Sequence, residues 1–361
     1  MCSLSYFAVL NCAVASPQET APAEIQSEKL FLGAGWHEIP GTKLEPNCPD
    51  DASIQANSGC GAVISAWGGA IADTESDRLI IWGGGHQDYY GNELYALDLN
   101  VSPIRMTRLT DPSHFNNTCT EAQTDGNPTS RHTYNGLAYV PVPKQMFVFS
   151  GSLANCGYAH RDTWSFDLSQ MKWQRKDPTV GGPPAACAGC VAEYDEAGKR
   201  IVLVDLSELW SYDPSSNAYK SLAKLAGIDY HLSGVIDQKR HWFFLVGGRG
   251  QFWFIDLRPN SKAVVQNWSQ KVSGCGDLMN AGYPGLTYDS ALDRIVGWVG
   301  GNDAYIFDSE SRACTKVTFP GGPGPASGNG TNGRFRYFPR LDLFVLVNNW
   351  RQNAYALRLP H

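Results

Sequence analysis

The sequence has little charge and no long apolar run. Only 18% of its 361 residues are charged, and the formal net charge is −6. The surface as a whole therefore lacks the positive field that nucleic-acid binding needs. No apolar stretch approaches the roughly 20 residues of a membrane-spanning helix. Neither nucleic acid nor a membrane is expected as a partner.

A glycine run at Gly83–Gly85 lacks the helix that a nucleotide-binding loop requires. Glycine-rich loops hold phosphates when they follow a strand and open a helix. Here the next residues, Glu93–Leu99, alternate in polarity as a second strand would. The stretch WGGGHQDYYGNELYALD from Trp82 is therefore predicted to be a β-hairpin with an unusually polar and aromatic loop.

That second strand recurs along the chain. The segment ELYALDL from Glu93 returns as DTWSFDL, ELWSYDP, QFWFIDL, DAYIFDS and NAYALRL, at intervals of about 50 residues. Each copy follows an apolar strand. A shorter strand, often containing glycine, precedes that one, and a brief fourth strand follows most copies. Four antiparallel strands in each unit of this length are typical of a β-propeller blade.

The sixth copy ends the chain without a fourth strand. The segment GWHEIPGTKL from Gly35 has the character to supply it, which would leave no open sheet edge at that point. We therefore predict an all-β fold, a six-bladed β-propeller of four-stranded blades whose ring is closed by the N-terminal strand. It would form a single domain over residues 31–361.

Glycine doublets after the second strand add a resemblance to a known superfamily. They are Gly83-Gly84, Gly247-Gly248 and Gly300-Gly301, with aromatic residues after them. In these features the chain resembles the kelch and galactose-oxidase type of β-propeller. The resemblance implies the fold and says little about function, because propellers host both enzymes and binding modules.

The N-terminus and the cysteines favour export. Residues 1–15 resemble a signal peptide that ends in small residues, and residues 16–30 are expected to be a disordered leader. Eight of the 10 cysteines remain after such cleavage, and the predicted pairs are Cys48/Cys60, Cys119/Cys156, Cys187/Cys190 and Cys275/Cys314. Cys187/Cys190 could instead be a redox or metal pair. A secreted or otherwise extracytoplasmic monomer is predicted.

The residues before five inner-strand glycines are expected to line the mouth of the central channel. The glycines, placed where strands crowd, are Gly69, Gly136, Gly234, Gly285 and Gly333. Because strand side chains alternate, positions two and four before each glycine should face the channel. The hairpin loops around the mouth add further histidines, tyrosines and arginines.

Two sets of candidate site residues follow from this placement. The predicted catalytic residues are His86, His132, Tyr134, Tyr230 and His231. The predicted substrate-binding residues are Tyr89, Asn92, Arg131, His160, Arg161, Arg249, Tyr283, Arg334, Arg336 and Trp350. Any one of these histidines is more often structural than catalytic, so the hypothesis rests on their convergence at one face.

Three functions fit this composition. Arginines hold carboxylates, and histidine with tyrosine can supply a base and an acid. The site is thus similar in composition to those of β-propeller polysaccharide lyases, which implies β-elimination in an acidic, uronic-acid-containing polysaccharide or oligosaccharide. A non-enzymatic carbohydrate- or protein-binding propeller is the first alternative. The second is a copper oxidase, since Tyr230-His231 resembles a strand of galactose-oxidase type enzymes. The cofactor is left open, a divalent metal ion being one possibility.

Overall fold

The computed structural model describes Met1, residues 33–259 and residues 261–360. Within these residues the chain forms six four-stranded antiparallel sheets. The predicted all-β, six-bladed propeller is confirmed. The signal peptide predicted at 1–15 and the leader predicted at 16–30 lie, apart from Met1, outside the described residues.

Each blade runs from an inner strand to an outer one. The strands of blades 1 to 3 are Gly69–Asp73, Arg78–Trp82, Tyr95–Asp98 and Arg105–Arg108; Leu137–Val140, Gln145–Phe149, Thr163–Asp167 and Lys172–Lys176; Val191–Asp195, Arg200–Val204, Glu208–Asp213 and Ala218–Lys224. Those of blades 4 to 6 are Leu232–Asp237, Trp242–Gly247, Gln251–Asp256 and Val265–Asn267; Gly285–Asp289, Arg294–Trp298, Asp303–Asp308 and Ala313–Thr318; Phe335–Phe338, Leu343–Leu346, Ala354–Arg358 and Gly35–Ile39.

Small additional elements occupy the connections. They are the helices Ala62–Ser65 and Gly276–Asn280, the 3-10 turns Glu45–Asn47 and Ala52–Ile54, and a two-stranded ladder of Arg131–His132 with Ser152–Leu153. No helix among the described residues is long and apolar enough to cross a membrane.

The N-terminal strand completes blade 6 as predicted. Gly35–Ile39 pairs antiparallel with Ala354–Arg358, and Trp36 lies opposite Leu357. The Trp36 ring packs edge-on against Trp298 of blade 5 at 6.2 Å between ring centroids. The closing strand is thus held both by its ladder and by the neighbouring blade.

The hydrophobic core is divided among the spaces between blades. Blades 1 and 2, for example, enclose Ile80, Trp82, Met146, Val148 and Trp164, all of which are at most 1% exposed. Similar clusters lie between blades 2 and 3, 3 and 4, 4 and 5, and 5 and 6. Burying one such large apolar side chain contributes about 1.5–3 kcal/mol, so the faces of the blades rather than the channel carry the stability.

The predicted column of inner-strand glycines holds in three blades, where the residues two before Gly69, Gly136 and Gly285 share a φ of 49–51°, and is out of register at Gly234 and Gly333. Gly69 and Gly285 open their strands, whereas Gly136 and Gly333 precede theirs and Gly234 is the third residue of its strand. The segments before the inner strands are consequently turns, and strand alternation does not govern where their side chains point.

All four predicted disulfides are present. They join Cys48 to Cys60, Cys119 to Cys156, Cys187 to Cys190 and Cys275 to Cys314. The Cα atoms of Cys119 and Cys156 lie 5.5 Å apart, which is within the usual range for bonded cysteines. This bridge ties the connection between blades 1 and 2 to the hairpin loop of blade 2.

Candidate functional site

The segments that precede the inner strands surround one opening of the channel, which we call the mouth. They are hydrogen-bonded to one another around the ring: the Tyr134 N–H donates to the Trp67 carbonyl and the Tyr283 N–H donates to the His231 carbonyl, each at 2.8 Å. Seven aromatic side chains meet there and form the mouth cluster: Trp67, His86, His132, Tyr134, Tyr230, His231 and Tyr283.

The mouth cluster is continuous from blade 1 to blade 5. On one side, the His132 ring lies 5.1 Å from His86 and 6.0 Å from Tyr134, centroid to centroid. Tyr134 lies 5.8 Å from Tyr283, which in turn lies 5.4 Å from His231. The structure therefore brings together all five residues predicted to be catalytic.

Several of these residues have left-handed backbones. The φ angles are 49° at Trp67, 51° at Tyr134, 50° at Tyr283 and 55° at His86. Non-glycine residues adopt this region rarely, and such conformations concentrate at functional sites. The same left-handed turn residue thus precedes the inner strands of blades 1, 2 and 5 and determines where Trp67, Tyr134 and Tyr283 point.

Glycines in blades 3 and 6 make room for the cluster. A Cβ on Gly189 would lie 2.5 Å from the carbonyl oxygen of Tyr230, and one on Gly330 would lie 2.5 Å from the Tyr283 Cβ. Both glycines have positive φ angles, 84° and 80°. The side chains of the mouth cluster thus come from four of the six blades, and glycines of the other two blades pack closely against them.

His231 is the histidine of the cluster that has a carboxylate partner and is also partly exposed. Its Nδ1 lies 2.6 Å from Asp229 Oδ1, which also accepts the His231 backbone N–H at 2.7 Å. A carboxylate at Nδ1 fixes the imidazole tautomer and leaves Nε2 with its lone pair. The His231 side chain is 26% exposed, and the exposed Tyr230 ring lies 3.7 Å from it, centroid to centroid. An incoming molecule can therefore reach both groups.

His132 has a carboxylate partner too, but it is buried. Its Nε2 lies 3.0 Å from Asp88 Oδ2, and its side chain is 1% exposed. Burial lowers the pKa of His132 to about 4, although Asp88 opposes this shift. A neutral imidazole packed under His86 and Trp67 cannot touch a substrate in this arrangement. The catalytic role predicted for His132 is therefore replaced by a supporting one.

Tyr134 and Tyr283 line the space between the two histidines. Their residues are 7% and 2% exposed, and burial raises the pKa of both phenols. The Tyr283 hydroxyl is buried with no hydrogen-bond partner among the described residues. Both tyrosines remain protonated at neutral pH, and Tyr283, like His132, is covered by its neighbours.

Two of the arginines predicted to bind substrate are structural. Arg131 is fully buried, with Nη1 2.8 Å from Asp162 Oδ2 and further donations to loop carbonyls. Arg334 is also fully buried, and it donates to the carbonyls of Val347, Gly68 and Gly330. Burial lowers the pKa of Arg334 to about 9. Because their donors are used inside the protein, neither is available to a substrate.

The Tyr89 and Asn92 side chains, both predicted to bind substrate, lie inside the hairpin of blade 1. Tyr89 donates to Glu93 at 2.7 Å, and the Asn92 amide donates to Ser113 and to the Pro128 carbonyl. Both residues are buried. The loop that the sequence singled out therefore folds its polar groups inward, apart from the exposed His86 and Gln87.

Four more predicted binders lie around or below the mouth and are already engaged. His160 pairs with Glu121 at 3.1 Å, and Arg161 donates to the carbonyls of Pro183 and Pro184. Trp350 packs against the backbone at Gly61, since a Cβ there would lie 2.5 Å from its ring. Arg336 lies within the channel, with Nη1 2.8 Å from Glu193 Oε1.

Arg249 remains as a free cation. It is exposed, and within the described part of the chain its guanidinium has no hydrogen-bond or ion-pair partner. It follows Gly248, whose Cβ position would lie 2.7 Å from Asp229 Oδ1. The free arginine is thus next to the glycine that packs on the Asp229–His231 pair.

The sequence did not point to Asp88 or Asp229, the two carboxylates that contact histidines of the mouth cluster. Asp229 lies two residues before His231, a spacing that allows a local hydrogen bond and could have signalled the pair. Asp88 follows His86 by two residues, yet it contacts His132 from another blade, so only the fold reveals it.

The described residues contain one close group of potential metal ligands. It consists of Cys119, Cys156 and His160, whose donor atoms lie within 4.8 Å of one another. The two sulfurs are joined in a disulfide, and a disulfide does not offer the thiolates that metals bind. The mouth histidines are not part of this group, so the copper-oxidase hypothesis gains no ligand set from the geometry.

Comparison with known proteins supports the fold. No protein-family model matches the chain, and no curated protein matches it. A solved structure described as "Structure of YjhT" is similar with a TM-score of 0.55 and 11% identity, covering 81% of this chain and 92% of that one. At this identity the likeness shows the β-propeller fold alone.

Proposed function

We propose that this chain is a secreted carbohydrate-active enzyme, a lyase that cleaves an acidic, uronic-acid-containing polysaccharide by β-elimination. The observation that carries the proposal is the Asp229–His231 pair, in which Asp229 Oδ1 lies 2.6 Å from His231 Nδ1. With its proton on Nδ1, His231 has an unprotonated Nε2 that can act as a base. The four disulfides favour an oxidising compartment.

The roles follow from exposure and charge. Arg249 is the free cation near the pair, and it would hold the uronate carboxylate and stabilise the charge that develops beside it. His231 Nε2 takes the C5 proton. The electron pair then forms the C4–C5 double bond, and the C4–O bond breaks.

A tyrosine completes the reaction. The exposed Tyr230 lies beside His231 and donates a proton to the leaving oxygen, while its ring offers a stacking face to the sugar. Proton return from the imidazolium to the phenolate restores both groups. Buried Tyr283 and Tyr134 exclude water on the other side of the mouth.

The experiment is incubation with a panel of acidic polysaccharides while the ultraviolet absorbance of the unsaturated uronate is followed. On a substrate that the wild type cleaves, His231→Gln should lower turnover on the order of a hundredfold or more. His241→Gln is the matched control, because His241 forms the other His–Asp pair of blade 4, 3.5 Å from Asp195. Equal activity of both variants would refute the assignment.

A carbohydrate-binding module is the second candidate. It is favoured by the exposed ring of Tyr230 and by the burial of His132, Tyr134 and Tyr283, which leaves the mouth with few free polar groups. Retention by an immobilised acidic polysaccharide without any rise in absorbance, weakened by Tyr230→Ala, would support this candidate instead.

A further inference from the structure

The channel has a second opening, opposite the mouth, and behind it lies a cavity of about 380 Å³, which we call the rear cavity. All six inner strands and the turns that follow them line it. Its volume falls within the range of small-molecule sites, about 300–1,000 Å³. No residue of the mouth cluster contributes to its walls.

An ion pair crosses the channel in the rear cavity. Glu193 of blade 3 and Arg336 of blade 6 come from opposite sides of the ring and meet at 2.8 Å. Arg336 also donates from Nε to the carbonyl of Gly333, at 3.0 Å, and from Nη2 to that of Ala70, at 3.4 Å. Each of the three guanidinium nitrogens therefore has a partner within the protein.

Glu193 keeps acceptor capacity. Its Oε1 accepts from Arg336, whereas Oε2 has no partner among the described residues, and the side chain is 18% exposed. Burial raises the pKa of Glu193 even though Arg336 opposes the shift. Arg336 thus neutralises the negative charge of the Glu193 carboxylate only in part.

The other polar groups of the cavity include hydroxyls and one more carboxylate, and Thr74, Thr287, Ser290 and Tyr194 supply hydroxyls that can donate or accept. The hydroxyls of Tyr139, Tyr288 and Tyr337 donate to Asp73, Asp293 and Asp342, so these protons are already used. Glu196 adds an exposed carboxylate at the rim. The described lining of the cavity thus has two carboxylates, Glu193 and Glu196, against one cation, Arg336, so a positively charged ligand with hydrogen-bond donors suits it best. Tyrosine rings in the walls also suit a cation.

We propose that the rear cavity binds a small organic cation through a primary ammonium group that donates to Glu193 Oε2. This site is separate from the mouth and does not rest on the lyase proposal. The tyrosines and the apolar residues Ile71, Val235 and Ile236 surround the alkyl part of the ligand.

The test is calorimetric titration of the whole protein with butylammonium, with 1-butanol and butyrate as neutral and anionic analogues. Saturable butylammonium binding, at least tenfold tighter than that of either analogue, is expected. Glu193→Gln should weaken it tenfold or more. Glu310→Gln, at an exposed carboxylate paired with Arg240, and His231→Gln at the mouth should bind as the wild type does.

Absence of butylammonium binding, equal binding of butanol, or full binding by Glu193→Gln would overturn the proposal. Glu193→Gln leaves Arg336 unpaired in the channel and could impair folding. The double variant Glu193→Gln/Arg336→Gln removes both charges, so it should fold and should not bind butylammonium. A folded double variant that binds as the wild type does would overturn the proposal equally.

Discussion

The buried Arg131–Asp162 pair should be a stability element, and Arg131→Met tests this directly. Both side chains are 0% exposed, and their closest atoms lie 2.8 Å apart. Asp162 also accepts from the Trp164 indole at 2.6 Å. Methionine fills part of the arginine volume and removes the cation, so the carboxylate stays buried with only the indole as a partner.

Loss of one partner from a buried ion pair costs about 3–5 kcal/mol. For a domain of about 330 residues, the entropy of unfolding at the midpoint is about 0.7 kcal/mol per kelvin. The melting temperature of Arg131→Met, measured by circular dichroism, should therefore fall by about 4–7 °C. Denaturant unfolding should show the same loss.

Controls separate charge from packing. Arg105→Met, at an exposed arginine of blade 1 with no hydrogen-bond or ion-pair partner among the described residues, should leave the melting temperature within about 1 °C, because exposed substitutions change stability by about 0.5 kcal/mol or less. If Arg131→Met melts like the wild type but loses polysaccharide cleavage or binding, the arginine acts on the substrate and our structural reading is refuted.

Two further predictions concern the mouth. In the unfolded chain a histidine takes up a proton near pH 6.5, whereas His132 in the folded protein stays neutral until the pH falls to about 4. Because the unfolded state alone gains this proton, the free energy of unfolding should fall by up to about 3 kcal/mol between pH 6.5 and pH 4. His132→Gln should flatten that part of the profile in urea titrations, and an unchanged slope would contradict the assignment. Gly248→Ala should displace Asp229, since its Cβ would lie 2.7 Å from Oδ1 at a φ of 49°, and lower turnover as His231→Gln does. Gly276→Ala, with nothing within 4 Å of its Cβ, is the matched control, and equal turnover of the two variants would contradict this role.

The fold could be predicted because its signal is repeated. In five of the six blades the third strand places an aromatic residue against a neighbouring blade, as Trp164 does between blades 1 and 2. The missing fourth strand of the last copy then required an N-terminal partner. A periodic pattern of this kind reflects burial, which depends on residue type and spacing alone.

The site could be predicted only as a location. The convergence of His86, Tyr134 and His231 follows from the order of the blades. Whether a given polar side chain is exposed or is buried against a partner does not follow from that order. Arg131 and Arg249 look alike in sequence as mouth arginines, yet one is buried against Asp162 and the other is free. Burial of this kind depends on contacts between blades that no short motif encodes.

The scaffold also explains why the mouth can become asymmetric without loss of the fold. The blade repeat constrains strands that face other blades, while the turn before each inner strand contributes little to those interfaces. At these turns blades 1, 2 and 5 carry Trp67, Tyr134 and Tyr283, and blade 3 carries Gly189. A large side chain at one turn can therefore be accommodated only because the neighbouring blade has a glycine there, as Gly189 of blade 3 leaves room for Tyr230 of blade 4. The position of each side chain at the mouth therefore depends on a pair of neighbouring turns. A substitution in either turn should change the geometry of the site while the propeller fold is retained.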